Sequence, residues 1–100
     1  MKLFTPVELG RYSLAHRVVL APTTRLRSEQ PSDTPSDMMA TFYSQRATER
    51  GLLIAEATGI SRSARSNLGA PGMYSDEHVT GWRKVTDAVH AAGGRIVAQL

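Results

Sequence analysis

The chain has no cysteine, a single tryptophan and only 6% aromatic residues in 100. Without cysteine there is no disulfide scaffold, no thiol chemistry and no cysteine-ligated zinc. No apolar run approaches the roughly 20 residues that a transmembrane helix needs. Met1-Lys2-Leu3-Phe4 runs straight into Thr5-Pro6, without the apolar stretch of a signal peptide, so a cytoplasmic protein with no membrane partner is expected. The formal charge of +3 lacks any clustering into a stripe. Its densest basic stretches, Arg25-Leu26-Arg27 and Arg62-Ser63-Ala64-Arg65, fall in expected loops without a recognition helix or stacking aromatics, which argues against nucleic acid as a partner. His16, His78 and His90 show no metal-ligand spacing and read as surface or packing residues. Low-complexity tracts, linkers and short repeats are missing too.

What is present is a regular alternation of strand-like and helix-like segments. Arg17-Val18-Val19-Leu20-Ala21 is a β-branched run ended by Pro22, as suits a strand buried on both faces. Val7–Leu9 and Tyr12–Leu14, with Gly10-Arg11 between them, predict a short hairpin ahead of it. Thr34-Pro35-Ser36-Asp37 predicts a helix start, with Thr34 as N-cap and Asp37 closing a capping box. That helix is expected over 35–50, burying Met39, Phe42, Tyr43 and Ala47, with Arg46 and Arg50 at its negative end and Gly51 stopping it. Residues 52–57 predict a second strand, followed by a long loop from Thr58 to Tyr74. Ser75-Asp76-Glu77 opens a second helix with Val79, Trp82, Val85 and Val89 as its apolar stripe. Gly93-Gly94 ends it, and Arg95–Leu100 is the third strand.

The order β-α-β-α-β predicts parallel strands with right-handed crossovers. Three parallel strands leave exposed edges, which sheets normally avoid. The expectation is therefore an α/β chain forming the N-terminal part, about three βα units with an N-terminal hairpin, of a (β/α)8 TIM barrel. Such a barrel takes on the order of 250 residues. An open doubly wound sheet is the alternative, and a hairpin able to plug the amino-terminal end favours the barrel. In either case the segment after each strand is where a ligand binds.

The residues carry a family resemblance. Leu3-Phe4-x-Pro6, Arg17-Val18-Val19-x-Ala21-Pro22-x-Thr24-Arg25, Tyr43-x-Gln45-Arg46-Ala47 and Gly51-Leu52-Leu53-Ile54-x-Glu56-Ala57-Thr58 resemble the old yellow enzyme family. Ala70-Pro71-Gly72, Trp82-x-x-Val85-Thr86-x-Ala88-Val89-His90 and Gly94-Arg95-Ile96-x-x-Gln99-Leu100 continue the match in order. The resemblance implies residues 1–100 of a single FMN-binding TIM-barrel domain, whose remainder lies outside this chain. It further implies an oxidoreductase that takes hydride from NAD(P)H and passes it to small-molecule activated alkenes, with nitrate esters or nitroaromatics as further acceptors. Thr24, rather than cysteine, resembles the branch that includes the N-ethylmaleimide and pentaerythritol tetranitrate reductases.

For the cofactor, the resemblance implies contacts from Pro22, Thr23, Thr24, Ala57 and Gln99. Thr24 would approach the C4=O/N5 side of the flavin, and the Gln99 amide its pyrimidine edge. Donors aimed at those edges tune the flavin potential. Read from spacing alone, Thr24 is a loop threonine bonding its own backbone, Gln99 satisfies a neighbouring loop, and Pro22 and Ala57 are a strand stop and a packing residue. Glu56 and Arg25 sit at strand ends on one face and are expected to form an ion pair. Tyr43 and Trp82 read as packing residues.

Thr23 stands where the family usually carries Leu or Met, and Asn67 where relatives often carry tyrosine near the substrate. The family's substrate-polarising pair, its tyrosine proton donor and its phosphate-binding arginines are expected beyond Leu100, so no catalytic residue is assigned within the chain. Two other readings stay open: a different (β/α)8 enzyme, such as an aldolase or isomerase using Glu56, and a small basic binding module.

Overall fold

A computed structural model describes residues 1–100. Strands β1 (Val7–Leu9) and β2 (Tyr12–Leu14) form the expected antiparallel hairpin, with Val7 opposite Leu14 and Gly10 at φ 57° in the turn. Ala15 N–H donates to Arg50 O (3.0 Å), and the Arg50 guanidinium reaches Ser13 Oγ (2.8 Å). These bonds hold the hairpin against the amino end of the next sheet. That sheet is parallel, in the order β3 (Val19–Leu20), β4 (Leu52–Ala57), β5 (Arg95–Gln99).

Only Val19 and Leu20 of the expected 17–21 strand join the ladder. The preceding backbone is drawn elsewhere: Arg17 N–H donates to Leu3 O (2.9 Å) and Val18 N–H to His16 Nδ1 (3.2 Å). Beyond Leu20 the chain turns at Pro22, with Thr23 N–H bonded back to Ala21 O at 2.8 Å.

Helix α1 spans Asp37–Arg46, shorter than expected at both ends, and Ser36 rather than Thr34 is its N-cap. Ser36 Oγ accepts the Met39 N–H (3.3 Å) and donates to Arg27 O (2.5 Å). Thr34 is occupied instead by a bridge to Glu29, whose N–H bonds Thr34 O at 2.7 Å. Asp37, now the first helical residue, faces Lys84 at 3.2 Å and closes no capping box. At the other end Arg46 Nη1 donates to Phe42 O (2.9 Å), as a cation near carbonyl ends should. The left-handed residue there is Arg50 (φ 56°), while Gly51 is needed because a Cβ would strike Thr48 Oγ1.

Helix α2 spans Asp76–Ala91 and is capped by Ser75, whose hydroxyl accepts His78 N–H. Its buried stripe is His78, Gly81, Trp82, Val85 and Val89. Val79 is 51% exposed: His78 takes the inward position that spacing assigned to Val79. Both helices cover one face of the sheet, and Met39, Tyr43, Leu53, Ala55, Trp82, Val85 and Val89 form the core between them. Phe42 and Ala47 flank it half-buried. No helix is long and apolar enough to cross a membrane.

The uncovered face carries Ile54 paired with Val97 and Ala57 paired with Gln99. Between these pairs β4 supplies two residues, Ala55 and Glu56, against the single Ala98 of β5. This is a bulge, which re-aims the side chains that follow it. Ala55 packs into the helix-side core and Glu56 also reaches helix α1, so the alternation resumes with Ala57 on the open face.

Candidate functional site at the strand carboxyl ends

Three segments meet at the carboxyl ends of the strands. From β4 and β5 come Ala57 and Gln99, which face each other in register, with Thr58 N–H bonded to Gln99 O at 3.0 Å. They line a cleft of about 160 Å³ together with Thr58, Gly59, Ala64 and Ser66. Ala57 matters for what it lacks, since a larger side chain there would fill the cleft beside Gln99. Gln99 is exposed and Thr58 is held down, its hydroxyl donating to Glu56 O at 2.9 Å.

Pro22, Thr23 and Thr24 follow β3, on the other flank of β4. They do not line the Ala57–Gln99 cleft. Pro22 and Thr23 are exposed and Thr24 is half-buried. Every buried side-chain polar atom has a partner, whereas the Thr24 hydroxyl and the Gln99 carboxamide stay outside the internal hydrogen-bond network. The two groups keep their donors available past the ends of the two strands that flank β4. That donor set, with the small Ala57 between them, fits a flat heteroaromatic ring with polar edges.

The expected Glu56–Arg25 ion pair does not form. Glu56 instead accepts the Arg25 backbone N–H through Oε1 (3.2 Å) and the Tyr43 hydroxyl through Oε2 (2.8 Å). The Arg25 guanidinium lies over the Phe42 ring, 5.2 Å from its centroid, where a cation–π contact serves an exposed cation better than a buried pair. Tyr43 Oη also accepts the Glu56 N–H at 2.9 Å, so the two residues lock α1 to β4. Burial, reinforced by the adjacent Glu56, raises the Tyr43 phenol well above its ordinary value, which keeps the hydroxyl a donor. A tyrosine on a core stripe needs a partner for its hydroxyl, and that was the available signal for this pair.

A second constellation was missed by sequence reasoning. Asp33, at φ 63° and 1% exposed, accepts from Gln30 (2.8 Å) and Arg65 (3.2 Å) on Oδ1 and from Tyr74 (3.0 Å) on Oδ2. Burial pushes its carboxyl up, but these bonds and the Arg65 charge outweigh it and hold the carboxyl below its ordinary value. Nearby His78 Nδ1 accepts the Tyr74 N–H (3.2 Å), which leaves Nε2–H to donate to Ser32 O (2.7 Å). This network ties the loop before α1 to the long loop after β4. No signal in the sequence marked Asp33: its left-handed φ is visible only in the fold, although Asp tolerates that conformation better than most residues.

A larger groove of about 350 Å³ opens between the starts of α1 and α2. Glu29, Asp37 and Glu77 line it with a single Lys84, a charge balance unsuited to a phosphate-bearing ligand.

The same sequence pattern and fold recur in known proteins. Residues 2–100 match the model of the NADH:flavin oxidoreductase / NADH oxidase family. The flavin oxidoreductase hxnT of Emericella nidulans is 50% identical over 101 positions, covering 98% of this chain and 26% of that protein. The Arabidopsis thaliana 12-oxophytodienoate reductase 2 is 46% identical over 98 residues, again covering 98% of this chain and 26% of the relative. Morphinone reductase, a TIM barrel solved in complex with tetrahydroNAD, superposes with a TM-score of 0.91 at 46% identity, over 100% of this chain and 27% of that one. The chain thus spans about a quarter of the length of these relatives, and it supplies the N-terminal strands of the same barrel. Matched along nearly its whole length and folded alike, the chain belongs to the NADH:flavin oxidoreductase / NADH oxidase family, the old yellow enzymes.

Proposed function

We propose that this chain forms the first three strands of an FMN-binding barrel that reduces small activated alkenes with NAD(P)H in the cytoplasm. Nitrate esters and nitroaromatics are further candidate acceptors. The observation that carries the reading is the placement of Thr24, Ala57 and Gln99 at adjacent strand ends, with Thr24 and Gln99 holding donors outside the internal network. FMN, when bound, supplies the hydride-carrying ring. Around it, the Thr24 hydroxyl would donate to one polar edge and the Gln99 carboxamide to another, while Ala57 keeps the space between them open. Pro22 and Thr23 would present backbone alongside. Donors fixed in advance stabilise charge that develops during reduction without reorganising at that moment. Substrate polarisation and proton delivery would come from residues outside positions 1–100.

The test is optical. The full-length protein should be yellow, lose its flavin band anaerobically on addition of NADPH or NADH, and regain it when an α,β-unsaturated carbonyl compound is added. A colourless protein, or one whose colour ignores both nicotinamides, would overturn the reading.

A further inference from the structure

The Glu56 carboxylate is 1% exposed and has no part in the proposed hydride transfer, yet both of its oxygens are engaged. Its partners present hydrogens on both sides: the Arg25 N–H at 3.2 Å and the Tyr43 hydroxyl at 2.8 Å. It therefore grips main chain one residue past Thr24, and the Arg25 side chain plays no part in that grip. At the other end of the same short span Pro22 fixes its own φ, and Thr23 N–H is tied back to Ala21 O at 2.8 Å. Thr24 hangs between two restrained points, one of which is the carboxylate of a neighbouring strand.

We propose that Glu56 is a positioning residue for Thr24: by anchoring the Arg25 N–H to β4 and α1, it aims the Thr24 hydroxyl and so sets the flavin potential. This rests on the reading of Thr24 as a flavin donor. The chemistry asks for a carboxylate because two donors converge on the group. A carboxamide of the same shape has one acceptor oxygen, and its NH2 must oppose either a backbone N–H or a hydroxyl already accepting one bond.

The test is Glu56→Gln in the complete FMN-loaded protein, read by midpoint potential and flavin absorption maxima beside Thr24→Ala and the double variant. Glu56→Gln should lower the potential by a shift comparable to that of Thr24→Ala. The double variant should fall no lower than Thr24→Ala alone. Val85→Ala, in the core of α2, serves as a control that lowers Tm and leaves the potential in place. If Thr24→Ala moves the potential and Glu56→Gln does not, or if the two shifts add, the inference is overturned while the flavin role of Thr24 stands. If Thr24→Ala itself moves nothing, the reading of Thr24 fails and the inference goes with it. Should Glu56→Gln fail to fold, Tyr43→Phe takes its place, since it removes the distal anchor and spares the carboxylate. A smaller shift in the same direction then supports the inference, and an unmoved potential overturns it.

Discussion

Arg65 meets Asp33 at 3.2 Å across a gap of 32 residues, and the carboxylate it meets is 1% exposed. The pair closes the long loop after β4 onto the loop before α1, with Tyr74 and Gln30 filling the remaining acceptor positions on Asp33. Because the folded carboxyl lies below its ordinary value, its stabilisation is present above the unfolded pKa of about 3.9 and fades as pH falls through the folded one. Denaturation of the full-length protein as a function of pH should therefore show an acid limb below about pH 4 that Asp33→Asn flattens. At neutral pH the same variant should cost about 1–3 kcal/mol, since it strands polar groups that had a partner. A wild-type acid limb retained in Asp33→Asn would remove the network from this role.

Thr24→Ala addresses the cofactor directly. Loss of one hydroxyl donor should lower the flavin reduction potential and shift the balance between reduction by NAD(P)H and oxidation by substrate. Dye-coupled potentiometry with separate stopped-flow measurement of each half-reaction checks this. An unchanged potential would take Thr24 out of the flavin site.

The cap of α1 can be settled by two single substitutions. Ser36→Ala should destabilise the full-length protein by about 1 kcal/mol, within the usual cost of a lost N-cap. Thr34→Ala should cost less, because its hydroxyl accepts from Ser32 Oγ (2.8 Å) and caps no helical N–H, while its main-chain bridge to Glu29 is kept. Urea titrations of both variants would reverse the assignment if Thr34 proved the costlier loss.

A 100-residue piece made alone should neither fold cooperatively nor hold FMN tightly. Strands β3 and β5 are both edges, and Val18 and Val19 are already 45% and 38% exposed. Unpaired edges recruit other chains. A domain is stable by only about 5–15 kcal/mol, a margin that cannot survive the loss of most of a barrel's inner layers. Size exclusion, thermal melting and flavin fluorescence on the isolated piece test this, and a monomer with a sharp transition and stoichiometric FMN would refute it.

Periodicity and punctuation made the architecture legible. The hairpin, β4, β5 and the Ser75 cap lie where glycine, β-branched runs and a hydroxyl before two acids place them. The failures share a cause: the group a local signal relied on was taken by another partner. Thr34 looks like a cap until Glu29 bonds its main chain, and Arg17 and Val18 look like strand until Leu3 and His16 take their N–H groups. Val79 fits a helical stripe as well as His78 does, and only the Ser32 carbonyl and Tyr74 N–H explain why a histidine is the one turned inward. At the site, matched motifs identified Thr24, Ala57 and Gln99 as candidates, and register brought two of them together. What sequence could not supply was the partner of Glu56, because opposite charge pointed to the Arg25 guanidinium when the contact is its amide.

The two-for-one count in β4 gives that strand something like a reading frame. Ahead of Ala55 the odd-numbered residues turn to the helices, and after Glu56 the odd-numbered Ala57 turns away from them. Removing Ala55 or Glu56 alone would leave one residue opposite Ala98 and Ala57 still facing Gln99, so the ladder and the phase at the strand end would both survive. What would go is one helix-side place. The remaining residue could fill the core where Ala55 sits, or hold the Arg25 N–H and the Tyr43 hydroxyl as Glu56 does, and not both. The extra residue lets one pleat of β4 serve the core and the strand end together.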